Sequence, residues 1–374
     1  MTQDKPVLLI DGRAFSLQTK GGVSQIWARL LAAPAILEAF VPHLFLYPGH
    51  ERNLHLAETG LLQHPGVRHT LCPVPPSDNA NAASAEHDAR RRRIALEGCG
   101  AHRPVAVINT YYGENILPDC DRYIVVVHDF AHEDLPALAA KPTTPQVVQR
   151  KLTAMRAATD IVYISCFSRS RARALYPDIA QARETVIYHG HDTLPATAPA
   201  TAAGTPGKMI HIGTRGVYKS FEVIARAVAP VLAAHPRARL SIIGGEPADD
   251  TVTRLRAAHP GQVSFATDVS DARILEELAS AEVFLSASAY EGFGIPLLNA
   301  MHLGVRPIVS AIPPYRELAA LCADFFAPGD APGLQALLER HFSQPVPPPP
   351  SADRPWSAVA RDYADLFAAG AADA

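Results

Sequence analysis

The sequence predicts two Rossmann-like, doubly wound α/β domains that face each other across a central cleft. Short runs rich in Val and Ile alternate with helical patterns along the chain, and runs that are apolar on both faces are typical of parallel strands. A stretch rich in Pro, Ala, Thr and Gly at 194–207 interrupts this alternation once and predicts an interdomain linker. The length of 374 residues agrees with two domains, because a single hydrophobic core seldom organises more than about 300 residues.

The expected strands and helices follow from these runs. In the first domain, strands are predicted at 5–11, 42–47, 104–110, 123–129, 160–165 and 184–190, with helices at 23–33 and 146–158. In the second, strands are predicted at 208–214, 238–245, 262–267, 282–288 and 306–311, with helices at 220–234, 271–281 and 295–304. A Pro-rich connector at 344–355 precedes an amphipathic last helix that is expected to cross back to the first domain. The predicted divisions are 1–195, 207–345 and 352–370.

The composition excludes several classes of protein. Hydrophobic residues make up 48% and charged residues 19% of the chain, which indicates a folded globular protein. A formal net charge of −3 gives no general attraction to nucleic acid, so no nucleic-acid partner is expected. Five scattered cysteines without a CxxC pair predict free thiols in a reducing compartment. No signal-peptide pattern and no run of about 18 apolar residues is present, so we expect a cytoplasmic location.

Chemistry is expected on the loops that follow the strands, because ligands of open α/β sheets bind beyond the carboxyl ends of the strands. Gly21 and Gly22 open a helix, where backbone N–H groups can approach an anion. A plain flexible turn explains this pair equally well. The pair lacks the GxGxxG spacing, which argues against binding of NAD.

His128 ends the strand YIVVV, where its imidazole can hydrogen-bond a substrate hydroxyl or carbonyl. His128 and His132 also have the i,i+4 spacing of a metal pair. No third ligand suggests itself, so no metal is predicted there.

The loop GTRGVYK in the second domain carries two cations. A strand ends at Gly213, and Thr214, Arg215 and Lys219 follow before a helix starts near Ser220. A guanidinium and an ammonium on a glycine-bearing loop suit a diphosphate. Solvated surface cations are the alternative interpretation.

The segment YEGFGIP forms the mouth of another helix. Gly292 and Gly294 flank Phe293 and free the backbone amides, and Pro296 suits the first helical position, where the helix dipole is positive. Glu291 is poorly suited to face a phosphate, and we expect it to accept hydrogen bonds from sugar hydroxyls beside the phosphate. A helix N-terminal charge partner is the alternative role for this carboxylate.

The segment EGFGIPLLNAMHLGVRPIVS at 291–310 closely resembles the signature of the family 4 glycosyltransferases, which are retaining enzymes of the GT-B fold. Further similar segments occur in the order that the family has them. They are GGVSQIWARLL, VVHDFAHE, ISCFSRS, VIYHGHD, IGTRGVYKSF, PPYRELA and PWSAVARDYADLF.

The resemblance implies roles for three groups in the cleft. Gly21 and Gly22 match the glycine loop that borders the donor diphosphate and the acceptor. His128 matches the histidine that contacts the transferred sugar. Arg215 and Lys219 match the pair that binds the diphosphate and stabilises its departure.

The resemblance also assigns the helix mouth. Glu291 matches the first Glu of the E-x7-E motif, which holds the hydroxyls of the donor sugar. Asn299 stands where the second Glu is expected, the residue that usually hydrogen-bonds the nucleotide ribose. This is a departure from the family pattern, although an amide can both donate to and accept from ribose hydroxyls. The remaining implied donor-binding residues are Gly213, Thr214, Gly292, Phe293 and Gly294.

The implied reaction is transfer with retention, in which the departing phosphate accepts the proton of the acceptor. It needs no protein nucleophile, no metal and no cofactor. The chain looks most similar to bacterial mannosyltransferases of surface-polysaccharide assembly, which suggests GDP-mannose as donor and a glycan or lipid-linked acceptor. UDP-sugars and GDP-fucose stay open as donors.

Three alternatives stay open. The stretch Arg90–Arg93 is compatible with peripheral contact to anionic lipid at the inner face of the membrane, and equally with a solvated helix face. The chain is also compatible with a sugar-nucleotide-binding protein that has lost catalysis, which Asn299 favours. A GT-B-like sugar-nucleotide epimerase is the third alternative.

Overall fold

The computed structural model describes residues 5–73, 82–100, 102–113, 115–117, 119–179, 181–194, 205–245, 250–344 and 353–369. The chain forms two compact units. The N unit comprises Met1–His189 and Trp356–Ala374, and the C unit comprises Gly190–Pro355. Most of the predicted linker (195–204) and of the Pro-rich connector (345–352) lies outside the described residues.

The N unit contains a parallel sheet of seven strands in the order β3-β2-β1-β4-β5-β6-β7. The strands are β1 (Val7–Asp11), β2 (Val41–Leu46), β3 (Arg68–Leu71), β4 (Ala106–Asn109), β5 (Tyr123–Val127), β6 (Asp160–Tyr163) and β7 (Arg183–Val186). Its helices up to β7 are α1 (Arg13–Leu17), α2 (Gly22–Leu31), α3 (Pro34–Ala39), α4 (Leu54–Thr59), α5 (Ala82–Cys99), α6 (Ala131–Asp134), α7 (Pro136–Ala139), α8 (Thr144–Ala157) and α9 (Cys166–Leu175).

The C unit contains a parallel sheet of six strands in the order β10-β9-β8-β11-β12-β13, the doubly wound Rossmann order. The strands are β8 (Lys208–Ile212), β9 (Arg239–Ile243), β10 (Val263–Ala266), β11 (Val283–Ser286), β12 (Arg306–Ser310) and β13 (Asp324–Phe326). The helices are α10 (Phe221–Ala234), α11 (Asp250–Ala258), α12 (Asp271–Ala279), α13 (Ile295–His302), α14 (Pro313–Ala319) and α15 (Ala331–Ser343). The predicted α/β fold class is therefore confirmed in each unit.

The central strands were predicted because they are buried on both faces. Every residue of β1, β2, β4 and β5 is buried, and the same holds for β11. Helices cover both sides of such a sheet, so its strands are apolar throughout. Two strands, β3 and β13, were not predicted, because each is a short edge strand with polar residues and partial exposure.

The last helix, α16 (Trp356–Ala368), packs on the N unit against α2 and α3. Its Tyr363 and Phe367 are buried, and their rings lie 6.3 Å from Trp27 and 6.0 Å from Phe40. Arg122 donates to the backbone carbonyls of Leu366 and Phe367, at 3.1 and 2.9 Å. A cation at this position complements the negative end of the helix dipole.

The same Arg122 side chain joins α16 to the sheet. Its guanidinium donates to both carboxylate oxygens of Asp160 at the start of β6, at 3.0 and 3.3 Å. Both partners are buried. Arg183 also pairs with Asp160 at 2.9 Å, so the carboxylate has a second cation.

Replacing Arg122 with Ala should lower the free energy of unfolding of the N unit by about 3 kcal/mol, because the buried carbonyls at the end of α16 lose their donor. Urea unfolding followed by tryptophan fluorescence measures this unit alone, since the two tryptophans, Trp27 and Trp356, both belong to it. Arg103→Ala is the matched control. Its ion pair with Asp121 is exposed, so the change should stay below about 1 kcal/mol. Equal losses in the two variants would contradict the role of Arg122.

Candidate active site

The C unit has its topological switch point between β8 and β11, where the chain turns to opposite edges of the sheet. Ligands of open α/β sheets bind at such a point, beyond the carboxyl ends of the strands. Two loops start there side by side. The β8 loop comprises residues 213–220, and the β11 loop comprises residues 287–294. Together they contain every predicted C-unit site residue except Asn299, which lies on α13.

An ion pair joins the two loops. Lys219 Nζ lies 2.7 Å from Glu291 Oε1, and the side chains are 20% and 13% exposed. A backbone hydrogen bond from Ala289 N to Tyr218 O, 2.7 Å long, holds the loops together close by. The structure thus brings together the predicted diphosphate cation and the predicted sugar-holding carboxylate.

Glu291 is held by three donors that all reach the same oxygen. Besides Lys219, Ser288 Oγ donates to Oε1 at 2.7 Å and Tyr315 OH donates at 3.1 Å. Burial, and then the nearby Glu291 charge, raise the pKa of Tyr315 well above its usual value, so its hydroxyl keeps the proton. Among the described residues no donor reaches Glu291 Oε2. Glu291 is therefore a fixed acceptor with one oxygen available to a ligand hydroxyl.

The ring of Tyr315 leaves no room for a side chain at residue 294, which is a glycine. Its φ is +120°, and a Cβ atom there would lie 2.7 Å from Tyr315 Cε1. Pro296 was predicted to be the first residue of helix α13. The helix begins one residue earlier, at Ile295, so Pro296 is its second residue. The amides of Ile295 and Leu297 belong to the first turn, where N–H groups lack intrahelical partners.

The groups that contact Arg215 differ from those that contact Lys219. Its guanidinium donates to the carbonyl of Gly244 and lies over the ring of Phe265, 4.6 Å from the centroid. Gly245 makes this possible, because a Cβ atom there would lie 2.6 Å from Arg215 Nη1. At the start of the loop, Gly213 has a φ of +142° and donates to Ile243 O at 2.9 Å. The predicted pair thus stands on one loop, with Arg215 directed to β9 and Lys219 to β11.

His211 was not predicted as a site residue. It is buried on β8, and its Nδ1 lies 3.0 Å from the carbonyl of Leu285, so Nδ1 carries the proton. Burial, together with the nearby charges of Lys219 and Arg215, lowers its pKa to about 4. Its Nε2 has no hydrogen-bond partner in the described part of the chain. A histidine inside an apolar strand run was the one signal that the sequence offered.

Asn299 is buried and forms a reciprocal pair with Asp192. Its Oδ1 accepts from the backbone N–H of Asp192 at 2.8 Å, and its Nδ2 donates to Asp192 Oδ2 at 3.0 Å. A glutamate here would direct a second buried carboxylate at Asp192, which like charges strongly disfavour. The departure from the family pattern therefore has a local physical reason.

In the N unit, the carbonyl of Thr110 joins two predicted site elements. Trp27 of α2 donates to it through Nε1 at 3.2 Å, and His128 approaches it through Nε2, also at 3.2 Å. The helix that Gly21 and Gly22 open and the loop after β5 therefore meet at the end of β4.

His128 is buried, and its environment fixes its tautomer. A carbonyl only accepts, so the proton is on Nε2. Burial lowers its pKa, which keeps the ring neutral. In the described part of the chain, its buried Nδ1 has no hydrogen-bond partner. The lone pair of this atom can accept a hydrogen bond from a ligand hydroxyl.

The two glycines at the start of α2 differ. A Cβ atom on Gly21 would lie 2.5 Å from Gln18 Oε1, an atom that accepts from the amide of Ser24 at 3.0 Å. A Cβ atom on Gly22 would meet nothing within 4 Å. One amide of the helix mouth is therefore already occupied by Gln18, and the open backbone face is that of Gly22.

The basic stretch Arg90–Arg93 lies on α5 and contains both exposed and buried side chains. Arg91 is buried and pairs with Asp88, whereas Arg90, Arg92 and Arg93 are exposed. Among the described residues, no helix is both long enough and apolar enough to cross a membrane.

Comparison with curated proteins finds bacterial mannosyltransferases. The chain is 31% identical over 147 residues to GDP-mannose:cellobiosyl-diphosphopolyprenol alpha-mannosyltransferase of Xanthomonas oryzae, covering 38% of each chain. It is 27% identical over 247 residues to O-antigen chain mannosyltransferase B of Escherichia coli, covering 60% of this chain and 63% of the relative. Each match spans less than two thirds of the relative's length.

Solved structures share the fold over the whole chain. Sucrose-phosphate synthase from Thermosynechococcus elongatus has a TM-score of 0.66 and 15% identity, covering 99% of this chain and 97% of that one. Anabaena HepE in complex with UDP and glucose has a TM-score of 0.64 and 14% identity, with 99% and 98% covered. These likenesses confirm the GT-B fold class.

The family model described as "Glycosyl transferases group 1" matches residues 198–340, which lie in the C unit. This stretch contains the β8 loop, the β11 loop and Asn299. The chain therefore carries a glycosyl transferases group 1 domain and is homologous to bacterial mannosyltransferases.

Proposed function

We propose that this chain is a retaining glycosyltransferase that moves a sugar from a nucleotide diphosphate donor to a glycan or lipid-linked acceptor. The observation that carries the proposal is the Lys219–Glu291 ion pair at the switch point of the C unit. The pair supports the proposal because a cation suited to a leaving phosphate lies directly beside a carboxylate suited to sugar hydroxyls. A nucleotide sugar has these two groups next to each other.

The C unit supplies the charges that such a reaction needs. Cleaving the bond between sugar and diphosphate leaves negative charge on the phosphate, and preorganised positive groups give the largest help there. Lys219, Arg215 and the first turn of α13 are these groups. Glu291 would hold the sugar through Oε2 while Lys219, Ser288 and Tyr315 fix its other oxygen.

The N unit supplies a neutral acceptor. Nδ1 of His128, which has no hydrogen-bond partner in the described part of the chain, would accept a hydrogen bond from a ligand hydroxyl. With retention, the departing phosphate takes the proton of the acceptor hydroxyl, so no protein nucleophile and no metal enters the proposed reaction.

GDP-mannose is the donor that we propose. Three of the curated relatives carry the name GDP-mannose:cellobiosyl-diphosphopolyprenol alpha-mannosyltransferase, and a fourth is an O-antigen chain mannosyltransferase. A lipid-linked diphosphate glycan is the corresponding acceptor class, and surface-polysaccharide synthesis is the corresponding role. Near the expected ribose position, Asp192 contributes a carboxylate, and Asn299 retains one N–H and one lone pair.

Lys219→Ala and Arg215→Ala should each lower turnover by roughly 10²-fold, the scale of losing one preorganised donor to a developing oxyanion. The measurement is transfer of labelled mannose from GDP-mannose at saturating donor. Arg226→Ala is the control, because Arg226 is an exposed arginine on α10 of the same unit. Turnover close to that of the control in both variants would contradict the proposed leaving-group role.

Asn299→Asp should destabilise the C unit by about 2 kcal/mol near neutral pH, because two buried carboxylates then lie at hydrogen-bond distance. Their repulsion raises one carboxyl pKa in the folded state, so the loss is largest at high pH. It shrinks as the pH falls through that raised pKa and one carboxyl takes up a proton. Calorimetric unfolding at pH 5 and pH 8 measures both effects.

The double variant Asp192→Asn with Asn299→Asp is the matched control for this pair. It exchanges the acid and the amide, so it should recover most of the lost stability. A single variant as stable as the wild type at pH 8, or a double variant no better than the single one, would contradict the reciprocal contact.

Incubation with labelled GDP-mannose, first alone and then with lipid extract, separates the proposed reaction from its rivals. Label in the lipid fraction is the expected result. Conversion of the donor to an epimer would identify an epimerase, and binding without transfer would identify a protein that has lost catalysis.

A further inference from the structure

Two buried side chains of the N unit, Tyr112 and Lys151, hold the segment that begins with His128. Tyr112 follows β4, and Lys151 lies on α8. We propose that Tyr112 and Lys151 are positioning residues, which fix the backbone and the ring of His128 so that its Nδ1 faces a ligand hydroxyl. This inference rests on the proposed function, because His128 is the residue that would contact the ligand.

Tyr112 contacts both the backbone and the ring of His128. Its hydroxyl oxygen accepts a hydrogen bond from the backbone N–H of His128 at 3.1 Å. Burial, and then the charge of Asp129, raise the pKa of this phenol well above its usual value, so the hydroxyl stays neutral. The two rings make an edge contact, with centroids 6.4 Å apart and an angle of 66° between their planes. One side chain therefore restrains His128 at two points.

The backbone of Tyr112 has a conformation that a bulky residue rarely adopts. Its φ is +44°, in the left-handed region. Residues in such conformations persist only where the surrounding structure holds them, and they cluster at functional sites. The buried amide of Asn109 holds this turn, since its Oδ1 accepts from the N–H of Tyr111 at 2.9 Å and its Nδ2 donates to the carbonyl of Gly113 at 2.7 Å.

Lys151 holds the same segment one residue further along the chain. Its Nζ donates to the carbonyl of Asp129 at 2.8 Å and pairs with both carboxylate oxygens of Glu133 on α6, at 2.9 and 3.0 Å. The Lys151 side chain is fully buried. Its Nζ also lies over the ring of Tyr112, 5.2 Å from the centroid. The two positioning residues thus support each other as well as the segment.

The ring of His128 is fixed in the state that accepts a hydrogen bond at Nδ1. Its Nε2 donates to the carbonyl of Thr110, two residues before Tyr112. Burial is the main cause that lowers the pKa of His128, and the charge of Lys151 lowers it too, whereas the Thr110 contact and the charge of Asp129 raise it. The ring is therefore neutral, with its lone pair on Nδ1.

Tyr112→Phe tests the first positioning residue, and Tyr163→Phe is its matched control. Tyr163 is also buried in the N unit, and its hydroxyl donates to Glu184 on β7 at 3.1 Å, on the side of β6 away from β5. Each variant loses one buried hydroxyl, so urea unfolding followed by tryptophan fluorescence should show similar losses of stability. Only Tyr112→Phe should lower kcat for mannose transfer, by about tenfold or more, because a small displacement of a positioned group can cost about 10²-fold. The Kd of GDP should stay that of the wild type in both variants.

The second test replaces the buried charge pair as a whole. Lys151→Met alone would leave Glu133 buried without its cation, so the variant combines Lys151→Met with Glu133→Gln. Nitrogen NMR of histidine-labelled protein reads the tautomer and the pKa of His128, with its signals assigned by His128→Gln. We expect the proton on Nε2 in the wild type and in Tyr163→Phe. The double variant should raise the pKa of His128, because a cation that disfavours the imidazolium is gone, and Tyr112→Phe should show a mixture of tautomers.

The NMR measurement needs no donor, so it separates this inference from the proposed function. A wild type that transfers no mannose would contradict the proposed function, and the spectra of His128 would then decide the inference. The inference is overturned if Tyr112→Phe turns over as fast as Tyr163→Phe in an active protein. It is also overturned if the tautomer and the pKa of His128 are unchanged in both Tyr112→Phe and the double variant.

Discussion

The parallel pairing of β8 with β11 is the constraint on which the candidate site depends. Neighbouring parallel strands end at the same edge of a sheet, so the β8 and β11 loops must leave it together. Segments more than 70 residues apart in sequence thereby place Lys219 and Glu291 in contact. Ser288 and Tyr315 donate to Glu291 Oε1, the same oxygen that Lys219 contacts. Among the described residues no donor reaches Oε2, so this oxygen is available to a ligand hydroxyl.

The central strands could be predicted because burial on both faces leaves a plain apolar pattern in the sequence. That signal is absent from β3, where Arg68 and Thr70 belong to a half-exposed edge strand. It is equally absent from the three residues of β13. Edge strands have one paired side and more solvent, so their composition approaches that of loops. The amphipathic pattern of α16 led us to expect its return to the first domain. Nothing around Arg122 in the sequence indicates the hydrogen bonds that this arginine donates to the end of that helix.

The site residues could be predicted from the sequence, but the residues that contact them could not. Glycines, cations and a carboxylate directly after strand runs are local sequence features, and the family resemblance assigned a role to each. Tyr315, Asp192 and Phe265 act through contacts with distant segments, which no local pattern encodes. The direction of Arg215 is another such case, since it depends on the bare backbone of Gly245.

Asn299 shows how a departure from a family pattern is explained by its partner. An amide offers both a donor and an acceptor, and Asp192 uses one of each. A carboxylate at the same point could satisfy the backbone N–H of Asp192 but not its side chain. The amide is therefore the complement of a buried acid, and the carboxyl group at this point belongs to Asp192. His191 precedes Asp192 and His302 ends α13, so the stacked rings of these two histidines depend on the same backbone as the acid–amide pair.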